Sequence, residues 1–302
     1  MPTKKAQPRR FVVGEGEGGM RLDRVVAARL GLPRTVVKDL FREGAVRVDG
    51  SPGKAAGRAR PGQTVEVNLP APEPADWPEI PVLYVDEAVL VIDKPAGLPV
   101  HGAGRGRVGP SVVAILQGRF SLAGGSPERP GVVHRLDAPT SGVMVLARTK
   151  GAWEDLVDQF RRREVKKEYL ALVEGELEPE EGEIHGRLAR DPARPWRMRV
   201  QAGGKGAQTE FSVLARGDGR SLLLVRPKTG RTHQIRVHLS AIGHPVVGDG
   251  VYGGGGGRLM LHAWRLGFRH PLLGRWMEHV APPPPWFSDW LEGLGNTGRK
   301  GS

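Results

Sequence analysis

Gly131-Val132-Val133-His134-Arg135-Leu136-Asp137-Ala138-Pro139-Thr140-Ser141-Gly142-Val143 lies near the middle of the chain and decides how the rest is read. A short apolar strand enters a polar loop. Pro139 and Gly142 then turn the chain into a second apolar run, 143–147. Two strands holding a polar loop are where catalytic groups tend to sit, because the strands fix what the loop presents. The residues alone leave a second reading open: Arg135 as a surface ion pair and Asp137 as a hydrogen-bond acceptor for the loop backbone.

Further strands are expected at 83–85 and 89–93, around a turn at Asp86-Glu87, and at 165–173, 211–214, 222–226 and 259–266. Helical spacing is rarer. Trp153, Leu156, Val157 and Phe160 make one apolar stripe. Ile235, Leu239 and Ile242 make another, with Thr232 as N-cap and Gly243 as stop. Many strands with few helices predict an α+β domain on a mostly antiparallel or mixed sheet over 82–290. Residues 70–81, with five prolines, read as a semi-rigid linker. Before it, 19–69 read as a small ααββ unit. Leu22, Val25, Val26 and Leu30 form a helix stopped by Gly31 and Pro33. Val36, Val37, Leu40 and Phe41 form a second, stopped by Gly44. Val46 and Val48, a turn at Asp49-Gly50, and Val65, Val67 and Leu69 give the strands. Residues 1–18 read as a basic tail and lead-in, and 291–302 as a frayed tail.

The 302 residues hold 45 Lys/Arg and 33 Asp/Glu, a formal net charge of +12. Residues 1–70 hold 14 basic and 7 acidic side chains, so over half of the excess sits in under a quarter of the chain. Such a surface attracts polyanions. No run approaches the ~18–20 apolar residues of a membrane span, and nucleic acid fits better than an anionic membrane surface because there is no long basic amphipathic helix or lipidation signal. The basic N-terminus leads into no apolar core, so a soluble cytoplasmic protein is expected. Arg21, Arg24, Arg34, Lys38, Arg42 and Arg47 read as a face that tracks phosphates, against the plainer reading of a solvated basic surface. Cysteine is absent, which excludes disulfides, thiolate metal sites and a Cys nucleophile. The nine histidines make no convincing metal site: His233 and His238 are five apart, not at the i, i+4 spacing of a helical zinc pair. The glycine run 253–257 lacks the Lys-Ser/Thr of a phosphate loop and reads as flexible. The stretch 102–109, with Arg105 and Arg107, reads as a mobile loop facing RNA.

His134-Arg135-Leu136-Asp137 with Thr140-Ser141-Gly142 resembles the signature of the RluA-type family of RNA pseudouridine synthases. Five more segments are similar to family motifs, in order. They are Asp93-Lys94-Pro95-Ala96-Gly97-Leu98-Pro99-Val100-His101, Lys166-Lys167-Glu168-Tyr169-Leu170-Ala171, Thr229-Gly230-Arg231-Thr232-His233-Gln234-Ile235-Arg236-Val237-His238, Gly243-His244-Pro245-Val246-Val247-Gly248-Asp249 and Leu259-Met260-Leu261-His262-Ala263. The stretch from Arg21-Leu22-Asp23 to Asp49-Gly50 resembles a small RNA-binding module first known from a small-subunit ribosomal protein.

The resemblance implies an isomerase that turns uridine into pseudouridine. The bond from uracil nitrogen to ribose breaks, the base turns, and it rejoins through carbon five. Nothing is oxidised or lost, so neither cofactor nor metal is expected. Asp137 matches the family's catalytic aspartate, as nucleophile or general base. Arg236 would be its charge partner, suited by permanent charge and by binding both oxygens. Tyr169, the third catalytic candidate, would pack against the base; a core tyrosine is the plainer reading. Leu261 matches a pocket leucine. Arg135 would fill the space left by an extruded uridine. His134 and Arg231 complete the substrate-binding set, Arg231 as a phosphate or loop contact. The implied partner is structured RNA, first a 23S-type large-subunit ribosomal RNA or pre-ribosomal particle, with transfer RNA as the alternative. A monomer is expected. The competing functions are a noncatalytic RNA-binding assembly factor and an N-glycoside hydrolase that would release free base.

Overall fold

In the computed structural model, which describes residues 9–30, 32, 34–68, 77–102 and 110–297, the chain divides into two compact units. The apolar spacings near the N-terminus produce the first: β1 (Arg9–Val12), α1 (Leu22–Leu30), α2 (Arg34–Arg42), β2 (Val46–Val48), β3 (Ser51–Pro52) and β4 (Thr64–Val67). Its strands form an antiparallel sheet in the order β1-β4-β2-β3. Leu22, Val25, Val26, Val37, Leu40, Phe41, Val46, Val65 and Val67 make its core. Asp49 and Gly50 both take positive φ, +50° and +79°, as a tight two-residue hairpin turn requires. The reading of 1–18 as tail and lead-in is corrected for 9–12. Phe11 packs against the core and pairs with Val65, so this segment is a strand. Residues 110–118 also belong to this unit and carry α3 (Val112–Gln117), a helix not foreseen, capped by the Ser111 hydroxyl. The tail before Arg9, the stop signals Gly31 and Pro33, the linker before Trp77, the loop at 103–109 and the last five residues lie outside the described residues.

Tyr169-Leu170-Ala171-Leu172-Val173 is apolar at successive positions, so as a strand it needs cover on both faces. The second unit provides that cover with β5 (Val82–Val85), β6 (Val89–Lys94), β7 (Ser141–Ala147), α4 (Lys150–Arg162), β8 (Lys166–Glu174), β9 (Glu181–Arg190), β10 (Met198–Val200), β11 (Lys205–Gly217), β12 (Arg220–Pro227), α5 (Gln234–Ala241), β13 (Leu261–Arg269), β14 (Trp276–Val280) and α6 (Pro285–Thr297). Ten strands form one sheet in the order β10-β9-β11-β12-β8-β13-β7-β6-β5, with β14 paired to β13. All neighbours are antiparallel except β13 and β7. This is a mixed-sheet α+β fold. Tyr169, Ala171 and Val173 face a core that includes Val225, Leu261 and, from α5, Ile235 and Leu239. Leu170 and Leu172 face the other side, with Leu222, Val247 and Trp286.

The sequence reading is corrected at three places. The 291–302 tail is helix as far as residue 297: Pro285 opens α6 where a missing amide costs nothing, and Trp286 is buried against the sheet. The strand expected at 131–133 reduces to one bridge, Val132 with Leu146, because Gly131 turns the chain at φ +72°. Helix α5 starts one residue later than expected. His233, at φ +55°, is its N-cap and offers no side-chain cap, while Ile242 ends it exposed. Among the described residues no helix is long and apolar enough to cross a membrane.

Candidate active site

The one parallel pair in the sheet anchors the quoted loop. It sets Ser141 opposite His262 and Gly142 opposite Ala263. Gly142 takes φ +115°, and a Cβ there would run into the Ala263 backbone, so only glycine fits. The Ser141 hydroxyl meets His262 Nδ1 at 2.9 Å. On the other side the buried Lys94 donates to the carbonyls of Pro95 (2.9 Å), Leu98 (2.8 Å) and Ala138 (3.0 Å). An ammonium has three N–H groups, so this arrangement uses all of them. Burial brings the Lys94 pKa down to about 8, against the pull of Asp137 and Asp93.

These ties hold Asp137 beside the first turn of α5. Arg236 Nη1 lies 3.3 Å from Asp137 Oδ2, and His233 Nε2 lies 3.8 Å from the same oxygen. The side-on, two-bond pairing expected between Arg236 and Asp137 is made elsewhere. Arg236 Nε and Nη2 donate to Asp249 Oδ2 and Oδ1 at 2.7 and 2.8 Å. One arginine therefore serves two carboxylates, with the bidentate face given to Asp249. Burial works against the Asp249 charge. The Arg236 hydrogen bonds and charge, with the amides of Val251 and Tyr252, still hold its carboxyl below the usual carboxylate range. The Tyr252 ring lies 5.2 Å from the Arg236 guanidinium. Its hydroxyl accepts from the Met198 amide and sits 2.8 Å from His233 Nδ1. A Tyr252 hydroxyl that donates to Nδ1 would leave the imidazole proton on Nε2, which faces Asp137. Burial pushes the His233 pKa down.

A cavity of about 650 Å³ opens in front of Asp137, within the range of small-ligand sites. His134, Arg135, Asp137, Tyr169, Arg231, Arg236 and Leu261 all line it, so the structure brings together the whole substrate-side set. Tyr169 is partly buried on β8; burial and then the Asp137 charge raise its pKa, which keeps the phenol neutral. His134 Nε2 accepts from the Val145 amide at 3.2 Å, and its ring stacks on Phe160 at 4.6 Å. Burial and then the charge of Lys167 lower its pKa to about 3, so it enters the wall as a neutral ring with one nitrogen already used. Arg135 is exposed and makes no ion pair with a described residue. Arg231 Nε donates to the Gly206 carbonyl at 3.2 Å. Asp249, Tyr252, His233 and Lys94 carry the site without having been given roles from sequence. Asp249 had the signal that marked Asp137, a carboxylate in a loop that follows an apolar run. Nothing in the sequence marks the left-handed turn at His233.

In the first unit the six proposed RNA contacts differ in availability. Arg21 and Arg34 pair with the buried Asp23 at 3.1 and 2.9 Å, and Arg42 pairs with Asp39 at 2.6 Å. Arg24, Lys38 and Arg47 are exposed and make no ion pair with a described residue. Among the described residues no three His, Cys, Asp or Glu side chains group closely enough to hold a metal ion.

The buried imidazoles predict an acid-sensitive fold. Burial lowers the pKa values of His238 and His262 to about 4, from 6.5. Between those values the unfolded chain binds more protons, so stability rises with pH from about 4 to 6.5 and is lost on acidification. Each histidine is expected to cost about 2 kcal/mol at pH 5 relative to neutral pH, at 1.36 kcal/mol per unit below 6.5. Urea unfolding at pH 7 and pH 5 checks this, and a His238→Gln variant should show a shallower pH dependence. An equal slope in the variant would count against a neutral buried His238.

Comparisons with known proteins follow the same lines. The sequence profile of the RNA pseudouridylate synthase family matches residues 88–241. An RNA pseudouridine synthase of Aquifex aeolicus is 40% identical, over 93% of this chain and 96% of that one. The ribosomal large subunit pseudouridine synthase D of Nitrosomonas europaea is 34% identical over 95% of this chain and 88% of its own. Among solved structures, human RNA pseudouridylate synthase domain containing 1 superposes with a TM-score of 0.58 at 30% identity. That match covers 70% of this chain and 86% of the human one. A matched profile, relatives alike over nearly their whole length and a shared catalytic-domain fold lead to one statement: this chain is a member of the RluA-type family of RNA pseudouridine synthases.

Proposed function

We propose that this enzyme isomerises uridines in large-subunit ribosomal RNA, with Asp137 as the group that starts the reaction. One observation carries the assignment to Asp137. Its Oδ2 is held by Arg236, while Oδ1 accepts no hydrogen bond from a described residue and the side chain keeps 16% exposure into the cavity. An ionised carboxylate in that position can attack the sugar or remove a proton. The nitrogen–carbon bond to ribose breaks, the uracil turns, and a bond to carbon five forms. The proton lost from carbon five is balanced by one gained at the ring nitrogen. Tyr169 and Leu261 would flank the base, and the exposed Arg135, which makes no ion pair with a described residue, would fill the space left in the RNA stack. Every group in this scheme comes from one chain, as a monomeric enzyme requires, and no step calls for a cofactor or metal.

The large-subunit assignment is supported by the relatives named for that RNA. Such a substrate would place the enzyme in the cytoplasm, free or on a pre-ribosomal particle. Pseudouridine mapping in RNA from cells with and without the protein tests it. The expected result is loss of one or more sites in large-subunit ribosomal RNA, restored by the wild-type gene and not by Asp137→Asn. Loss confined to transfer RNA would replace the substrate.

Residues 19–69 would dock the RNA. Replacing Arg24, Lys38 and Arg47 together by Gln is expected to weaken binding and flatten its salt dependence. The slope of log affinity against log salt should shrink by ~0.7–0.9 for each phosphate that is no longer neutralised. An unchanged slope would remove the docking role from this face.

A further inference from the structure

A second cavity, of about 530 Å³, opens beside the first and shares Arg163, Thr229 and Arg231 with it. Its walls come from the end of α4 and from β9 and β11. Gly186 and Gly206 place no side chain in it, and no carboxylate of a described residue lines it. Arg163, Arg187 and Arg231 converge there. Arg187 Nε donates to the Gly204 carbonyl at 3.0 Å, and Arg231 Nε to the Gly206 carbonyl at 3.2 Å. Each guanidinium is thus steadied through one N–H while its terminal nitrogens bond no described residue. Arg163 closes α4 in the left-handed conformation, φ +62°, and makes no ion pair with a described residue either. Its charge adds to burial in lowering the neighbouring Lys167 pKa to about 8. Glu183, the acid of β9 nearest in sequence to this wall, is engaged by His185 and Gln208.

Three guanidiniums, two of them steadied by backbone carbonyls and none paired with a carboxylate of a described residue, make a concave anion site. Guanidinium is the side chain best matched to phosphate, which it binds through parallel N–H groups. The substrate here is a polymer. A uridine seated in the first cavity carries a phosphodiester on each side, and the second cavity is next to the first. We propose that this cleft holds the phosphodiester backbone flanking the target uridine, with Arg163 and Arg187 as its principal contacts. The proposal rests on the pseudouridine synthase reading and extends it to residues that no sequence motif singled out.

The test uses the full chain and large-subunit ribosomal RNA transcribed in vitro. Affinity is measured against salt for the wild type and for Arg163→Gln, Arg187→Gln and Arg187→Lys. Each Gln variant should reduce the magnitude of the salt slope by ~0.7–0.9, whereas Lys keeps a charge and should keep the slope. Circular dichroism melts check that the variants are folded. Unchanged slopes in both Gln variants overturn the proposal. So does an Arg187→Lys slope as flat as that of Gln, because the residue would then act through its bond to Gly204. Phosphate ethylation interference on a fragment containing the modified uridine gives the location. Interference that the wild type shows and Arg187→Gln lacks should fall beside that uridine. A position remote from it also overturns the proposal. Failure of the wild type to make pseudouridine would count against the parent reading, while the slopes would still judge the cleft.

Discussion

Asp137→Asn abolishes pseudouridine formation and leaves RNA binding in place: that is the expected result for a carboxylate whose task is chemical. The amide is nearly isosteric, but it can neither attack the sugar nor take a proton. The environment argues that the fold survives the change. Arg236 keeps its two short bonds to Asp249, so loss of the Asp137 charge leaves no buried cation unpaired. Lys94 continues to hold the Ala138 carbonyl, which keeps residue 137 in place. A single-turnover rate at saturating RNA should fall by at least ~10³-fold, the scale of a lost general acid–base or nucleophilic group. Release of label from carbon five of uridine measures it, and unchanged substrate mass separates isomerisation from free-base release. A rate within tenfold of wild type would remove Asp137 from the chemistry.

The substrate-side residues could be read from the sequence because each lies in a contiguous motif with chemistry of its own. The strands from 83 to 93, β7, β8, β12 and β13 were legible because their apolar runs are dense. β9 was not: only Ile184 and Leu188 of its ten residues carry buried apolar side chains, and Gly182 and Gly186 interrupt its alternation. β1 was hidden because Arg9 and Arg10 look like a tail until Phe11 and β4 are brought together. α6 was hidden by the prolines before it. The division of Arg236 between two carboxylates was also invisible, since it depends on a loop that follows the helix and folds back onto it. A motif names the residues; the bonds among them come from the packing.

Arg236→Ala is expected to cost both activity and stability, and the two losses can be separated. The Asp249 side chain is fully buried, so removing its cation leaves an unpaired charge, a change worth about 3–5 kcal/mol. Asp137, with more exposure, loses the same neighbour. Arg236→Lys should recover part of each loss. A point charge can approach one carboxylate but cannot give a two-bond face to Asp249 and a third N–H to Asp137. The deciding variant is the double change Arg236→Met with Asp249→Asn. It removes the cation and the buried charge together, so its urea midpoint should rise above that of Arg236→Ala. Its single-turnover rate should stay as low, because nothing has restored a cation beside Asp137. If the rate recovers along with the midpoint, Arg236 only supports the fold around Asp249. If stability recovers and the rate does not, the guanidinium acts on Asp137 itself, through the hydrogen bond of 3.3 Å that joins them.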